Sequence, residues 1–197
     1  MKTVTLITNS DILNLEDTIK LSKKLSRIGL DRIQIREKNI PKNILRDFIK
    51  KMKDSTNESC KLILNGNLDL AVEYNLNGVH FPEKYPINKK LKTKKLIIGR
   101  SIHENTNLTD DQNYFDYFHL GPIFTTLSHP NGKIIDKENI SYISKKLNNI
   151  VLVGGINNNN ANKLLKYNFS GIAVMRELLL SSSPEKTFLD LKEKIND

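Results

Sequence analysis

Apolar residues along this chain fall into two alternating patterns. Short runs rich in Ile, Leu and Val occur at VTLIT (4–8), RIQIR (32–36), KLILN (61–65), GVHF (78–81), KLIIGRSI (95–102), YFHLG (117–121), IVLVG (150–154) and GIAVM (171–175). Runs of this length and composition predict β-strands. Between them, apolar positions recur at helical spacing. Leu21, Leu25 and Ile28 predict one face, and Ile44, Phe48 and Met52 a second, with Pro41 suited to a first helical turn. Ile140, Ile143 and Leu147 predict a third. A helix starting on Asn157 is expected to bury Ala161, Leu164 and Leu165, and one starting at Ser183-Pro184 continues with Phe188, Leu191 and Ile195.

Eight strand candidates, spaced roughly 25 residues apart, have the rhythm of βα units. No Gly/Ser/Pro-rich linker interrupts them, so residues 1–197 read as a single domain, a closed (β/α)8 barrel. The runner-up is an open doubly wound sheet. Closure is favoured because the strands are short and alike, and no Gly-rich dinucleotide turn follows the first.

Composition then removes several classes of function. Hydrophobic content of 38% against 27% charged residues suits a folded chain. The net charge of +9 invites a nucleic-acid partner, yet lysines are scattered over every helical segment without an aromatic-interleaved stripe, so none is expected. The single Cys60, at the head of CKLIL, reads as a buried thiol. No apolar run has the length of a signal peptide or a membrane span, which leads us to expect a cytoplasmic protein without a membrane partner. Oligomeric state stays open, a homodimer included.

In a barrel the chemistry sits at the C-terminal ends of the strands. Strand two ends Arg36-Glu37-Lys38, two cations suited to a phosphate or diphosphate, though such a triplet alone is commonly solvated charge. Asn65-Gly66 after strand three is either a site or an ordinary turn. Gly99 is read as allowing another backbone close, Ser101 as reaching the mouth, and His103 as a cap or a solvated residue. Gly154-Gly155 and the helix start at Arg176 suit phosphate through backbone N–H groups. Arg176 is otherwise a surface residue paired with Glu177 or Glu185. The loop HLGPIFTTLSHPNG (119–132) sets out Thr125, Thr126, Ser128 and His129 beside that cradle, with His129 an anion clamp, an acid/base or a solvated residue.

The ordered set IQIREK, LILN, GVHF, IGRSIH, LGPIFTT, VLVGGI and GIAVM, spanning essentially the whole chain, resembles the thiamine phosphate synthase/TenI family. That resemblance implies a (β/α)8 barrel acting on phosphorylated small molecules. The synthase joins an aminopyrimidine diphosphate to a thiazole phosphate with release of diphosphate. The TenI branch moves a proton on the thiazole ring. By position, Arg36, Lys38 and Asn65 match diphosphate contacts, and Ser101 a serine near the leaving group. Thr126, Ser128, Gly154 and Gly155 match the thiazole phosphate site. His129, Ser101 and Lys38 are the candidate catalytic groups. The synthase's two Mg²⁺-binding Asp positions hold Gly66 and Lys84 here, with Glu83 beside the latter; its loop Lys is His129 and its eighth-helix Ser is Arg176. The expectation is therefore Mg²⁺ carried by the substrate diphosphate, no protein metal ligands and no organic cofactor. Synthase-type transfer ranks first, isomerisation second and non-catalytic binding of the phosphates third.

Overall fold

The computed structural model describes residues 1–86, 95–106, 113–127 and 132–197. Its strands are β1 (Thr3–Ile7), β2 (Arg32–Ile35), β3 (Lys61–Asn65), β4 (Gly78–Phe81), β5 (Ile97–Ile102), β6 (Tyr117–Leu120), β7 (Ile150–Val153) and β8 (Gly171–Val174). They pair in parallel in chain order, and β8 returns to β1 from Thr3↔Gly171 to Leu6↔Val174, closing the barrel. Each predicted strand is present, and the open-sheet alternative is excluded.

The helices are α1 (Leu15–Arg27), α2 (Lys42–Ser55), α3 (Leu68–Glu73), α4 (Lys137–Lys146), α5 (Arg176–Leu179) and α6 (Pro184–Lys194). α1 starts where the Asn14 side chain accepts the Asp17 N–H at 2.9 Å, with Glu16 and Asp17 on the positive end of the helix dipole. Leu21, Leu25, Phe48, Met52, Ile140, Ile143, Phe188, Leu191 and Ile195 turn inward against the strands' outer face. Cys60 is buried with them, and burial pushes its thiol up to about 12, so it is inert as a nucleophile.

Three predicted core positions lie outside the core. Ile28 caps α1 and Ile44 sits in the first turn of α2, both past the end of the packed stripe. Leu165 follows a single 3-10 turn (Ala161–Leu164) that replaces the predicted seventh helix. At its start Asn160 Oδ1 takes the Asn157 N–H and Asn157 Oδ1 takes the Asn159 N–H, both at 2.9 Å, satisfying N–H groups that no helical carbonyl reaches.

Inside the barrel the strand register stacks side chains in layers. Each step of two strands advances the layer by two residues, the stagger of an eight-stranded barrel. The floor holds Arg32, Gly78, Tyr117 and Gly171, and the next layer Thr5, Ile63, Gly99 and Val151. Above them come Gln34, His80, His119 and Ala173, then Ile7, Asn65, Ser101 and Val153 below the rim. Gly99 makes room for a ring rather than for a backbone. A Cβ there would lie 2.1 Å from Tyr117 Cζ, so the phenol rises from the floor through the Gly99 gap. Arg32 stacks on that ring at 5.0 Å.

Gly99→Ala is expected to cost about 1–3 kcal/mol of stability by overpacking, with Tyr117→Leu in the same chain recovering part of it. Urea denaturation of both single variants and the double reads the coupling. Equal stability of wild type and Gly99→Ala would show that the ring is not lodged in that gap.

Candidate active site

The C-terminal mouth gathers residues from the ends of several strands. Arg36, half-buried, follows β2, and Lys38 lies two residues on and exposed. Their neighbour Glu37 is drawn toward β1. Its Oε1 accepts from Thr8 Oγ1 at 2.5 Å and its Oε2 from the Ser10 N–H at 2.7 Å, while Thr8 Oγ1 accepts the Arg36 N–H at 3.0 Å. This clip holds the end of β2, and among the described residues neither Arg36 nor Lys38 makes an ion pair, although the Glu37 charge still favours the protonated Arg36. The Arg36 charge and partial burial hold Lys38 below the usual lysine range, and burial likewise lowers Arg36. An anion at this point would relieve both.

Asn65 and Ser101 share the layer beneath the rim, both half-buried. Under them lies a layer more polar than the branched aliphatics common in barrels. His80 Nε2 bonds to Ser101 Oγ at 2.9 Å and His80 Nδ1 to the Tyr117 hydroxyl at 3.1 Å. The His119 ring stands 4.3 Å from His80 between centroids. His119 Nε2 and Gln34 Oε1 are buried without hydrogen-bond partners among the described residues. Burial, helped by the Arg36 charge, brings His80 down to about 3, and burial with the His80 and Arg32 charges holds His119 well below the usual histidine range. Both are neutral imidazoles at physiological pH. Sequence reading passed over them. Strand alternation carried the signal, because GVHF and YFHL place His80 and His119 on the inward face with Gly78 and Tyr117.

The loop after β6 is zipped onto β7. Ile123 N–H donates to Val153 O and Phe124 N–H to Gly154 O, each at 3.0 Å. Gly154 and Gly155 have φ of +101° and +66°, which disfavours any side chain. A Cβ on Gly155 would meet Thr125 O at 2.4 Å, and one on Gly154 would meet Pro122 Cα at 2.7 Å. The expected adjacency of glycine pair and loop therefore holds as far as Thr125. Thr126 is half-buried; Ser128 and His129 lie outside the described residues. Arg176 opens the one-turn α5. Of the carboxylates weighed as its partners, Glu177 accepts the Asn158 N–H and Glu185 pairs with Lys24.

Among the described residues a divalent metal finds no fitting ligand set here. Gly66 and the exposed Lys84 occupy the two positions in question, and Glu83 is committed to Thr106 and to His103 Nδ1 at 3.2 Å. Among the described residues no three of His, Cys, Asp and Glu cluster to hold an ion. His103 is thus a partner of Glu83. No helix among the described residues is long and apolar enough to cross a membrane.

Fold and site together define a (β/α)8 barrel with a cationic mouth above a neutral polar interior. Residues 4–178 match the family profile described as thiamine monophosphate synthase, and the chain belongs to that family. It is 31% identical to a thiamine-phosphate synthase of Clostridium tetani, over 99% of this chain and 96% of that one. A second, from Clostridium acetobutylicum, is 30% identical over 88% and 85%. The solved thiamine phosphate pyrophosphorylase from Pyrococcus furiosus shares the fold, with a TM-score of 0.84 at 24% identity over 98% of this chain and 95% of that one.

The buried imidazoles make stability pH-dependent. Unfolded histidine binds a proton near pH 6.5, while folded His80 resists until about 3. The unfolded state therefore binds more protons in that window, and stability falls as pH drops. Each buried histidine is expected to withdraw about 1.4 kcal/mol per pH unit below ~6.5. Urea midpoints at pH 7 and pH 5, above most carboxylate titration, measure this. Equal unfolding free energies at the two pH values would contradict neutral burial of His80 and His119.

Proposed function

We propose that this protein joins an aminopyrimidine diphosphate to a thiazole phosphate, releasing diphosphate and forming thiamine phosphate. The observation that carries this reading is the pair of cations, Arg36 and Lys38, that form no ion pair among the described residues at the barrel rim above Asn65 and Ser101. Cations so placed beside hydrogen-bonding side chains suit an incoming diphosphate. Family membership supplies the substrates.

On this reading the pyrimidine diphosphate lies with its phosphates on Arg36, Lys38, Asn65 and Ser101. The bond from the pyrimidine methylene carbon to the bridging oxygen breaks, and its electron pair leaves with diphosphate. Negative charge grows on the leaving group as this happens, so fixed donors and cations lower the barrier more than they stabilise bound substrate. The thiazole nitrogen then gives its lone pair to the methylene carbon, forming the carbon–nitrogen bond. The thiazole phosphate is held across the mouth by Gly154, Gly155, Thr126, Ser128 and Arg176. His129, in the same loop, is assigned as a further group at that phosphate.

Mg²⁺ belongs to the substrate in this scheme, arriving on the diphosphate. With no metal-binding carboxylate cluster among the described residues, the protein's share of charge neutralisation is assigned to Arg36 and Lys38.

Purified protein mixed with both phosphorylated substrates and Mg²⁺ is expected to form thiamine phosphate. Arg36→Ala should lower kcat/KM by about a hundredfold or more, the worth of a charge-assisted contact strengthened in the transition state. Absence of product from wild type would rule out the proposed reaction. Equilibrium dialysis against Mn²⁺ should detect no stoichiometric metal on the free protein, and tight metal binding without diphosphate would refute the substrate-carried ion.

A further inference from the structure

We propose that Tyr117 and His80 are positioning residues that pre-set the Ser101 hydroxyl as a hydrogen-bond donor toward the anionic leaving group. This deepens the reading above and rests on it for the identity of that anion.

Three side chains form a column through four layers of the barrel. Tyr117 starts in the floor layer, and its ring climbs through the gap left by Gly99 to bring its hydroxyl 3.1 Å from His80 Nδ1. His80, only 1% exposed, passes the contact on through Nε2 to Ser101 Oγ at 2.9 Å. Ser101 stands at the top of the column, half-buried beneath the rim that carries Arg36. His119 covers one side of the His80 ring at 4.3 Å.

The direction of the hydrogen bonds follows from counting donors. A neutral imidazole has one N–H and one lone-pair nitrogen. Suppose the proton is on Nδ1. Tyr117 oxygen then accepts it, and the buried phenolic O–H has no acceptor among the described residues. Ser101 must meanwhile spend its own O–H on Nε2, turning oxygen lone pairs toward the mouth. Suppose instead the proton is on Nε2. The Tyr117 hydroxyl donates to Nδ1, Nε2–H donates to Ser101 Oγ, and the serine O–H is left to donate upward. Of the two, only this arrangement uses every donor of Tyr117, His80 and Ser101, and an unused buried donor is costly. It also presents a donor to an anion. A doubly protonated ring would fix neither direction, and full burial beside a second imidazole and the Arg36 charge opposes it. Tyr117 thus selects the tautomer, and His80 transmits that choice to a hydroxyl Tyr117 does not touch.

The test has a spectroscopic and a binding arm. Long-range ¹⁵N–¹H correlation of histidine-labelled protein should show His80 as the Nε2–H tautomer in wild type and a mixture in Tyr117→Phe, which keeps the ring. Calorimetry with inorganic diphosphate and Mg²⁺ should show about tenfold weaker binding in Tyr117→Phe and in Ser101→Ala, with the double variant no weaker than Ser101→Ala alone. Thiazole phosphate affinity should not change in Tyr117→Phe. An Nδ1–H tautomer in wild type would overturn the proposal. So would additive losses in the double variant, or wild type failing to bind diphosphate. Coupled diphosphate binding without any thiamine phosphate formed would instead refute the reaction and leave the relay standing.

Discussion

The stagger of eight parallel strands is the constraint on which this molecule depends. Closing β8 onto β1 forces each strand to shift against the next, and the shift decides which inward side chains share a level. Residues far apart in sequence, Gln34, His80 and His119, become one layer because of it. Asn65 and Ser101 become neighbours at the next level, and Tyr117 falls on the floor beneath them. Had the register slipped by one residue, every one of these side chains would point out into the helices. The apolar outer faces of the strands, packed against α1, α2 and α6, resist that slip.

The interior handles charge differently at its two ends. In the middle, two imidazoles are stripped of water and held neutral, with hydrogen bonds made by His80 to Tyr117 and Ser101. At the rim, Arg36 and Lys38 remain cationic, with the Arg36 charge loosening Lys38's hold on its proton and burial doing the same to Arg36. The Thr8–Glu37–Ser10 clip ties the adjacent carboxylate to β1, so it forms no ion pair with either cation. A mouth built this way is better for an anion than for itself. Neutral donors below it add direction without adding to the repulsion between the cations. The same economy extends to the β6 loop, where Gly154 and Gly155 accept backbone approach that any side chain would block.

Much of this was legible in the residues alone. Eight apolar runs gave eight strands because in-plane alternation and flanking polar segments leave little other way to bury them. Arg36, Lys38, Asn65, Ser101, Gly154 and Gly155 could be put forward as candidates because a barrel's site lies at strand ends, and strand ends can be read locally. Local reasoning failed after Asn157, where a single 3-10 turn stands in place of the expected helix. It failed again at Gly99, whose lack of a side chain answers to a ring from the next strand.

By itself, then, the sequence determined the order of elements, the closed barrel class, the family and the chemical types at the mouth. These depend on periodicity and on residues near one another in the chain. Only the tertiary structure decided that His80 joins Tyr117 to Ser101, that His119 lies tilted against His80, and that Glu37 and Glu83 are occupied elsewhere. Each of these contacts crosses between strands or loops distant in sequence. Their geometry is set by strand stagger and burial, quantities that no stretch of residues carries on its own.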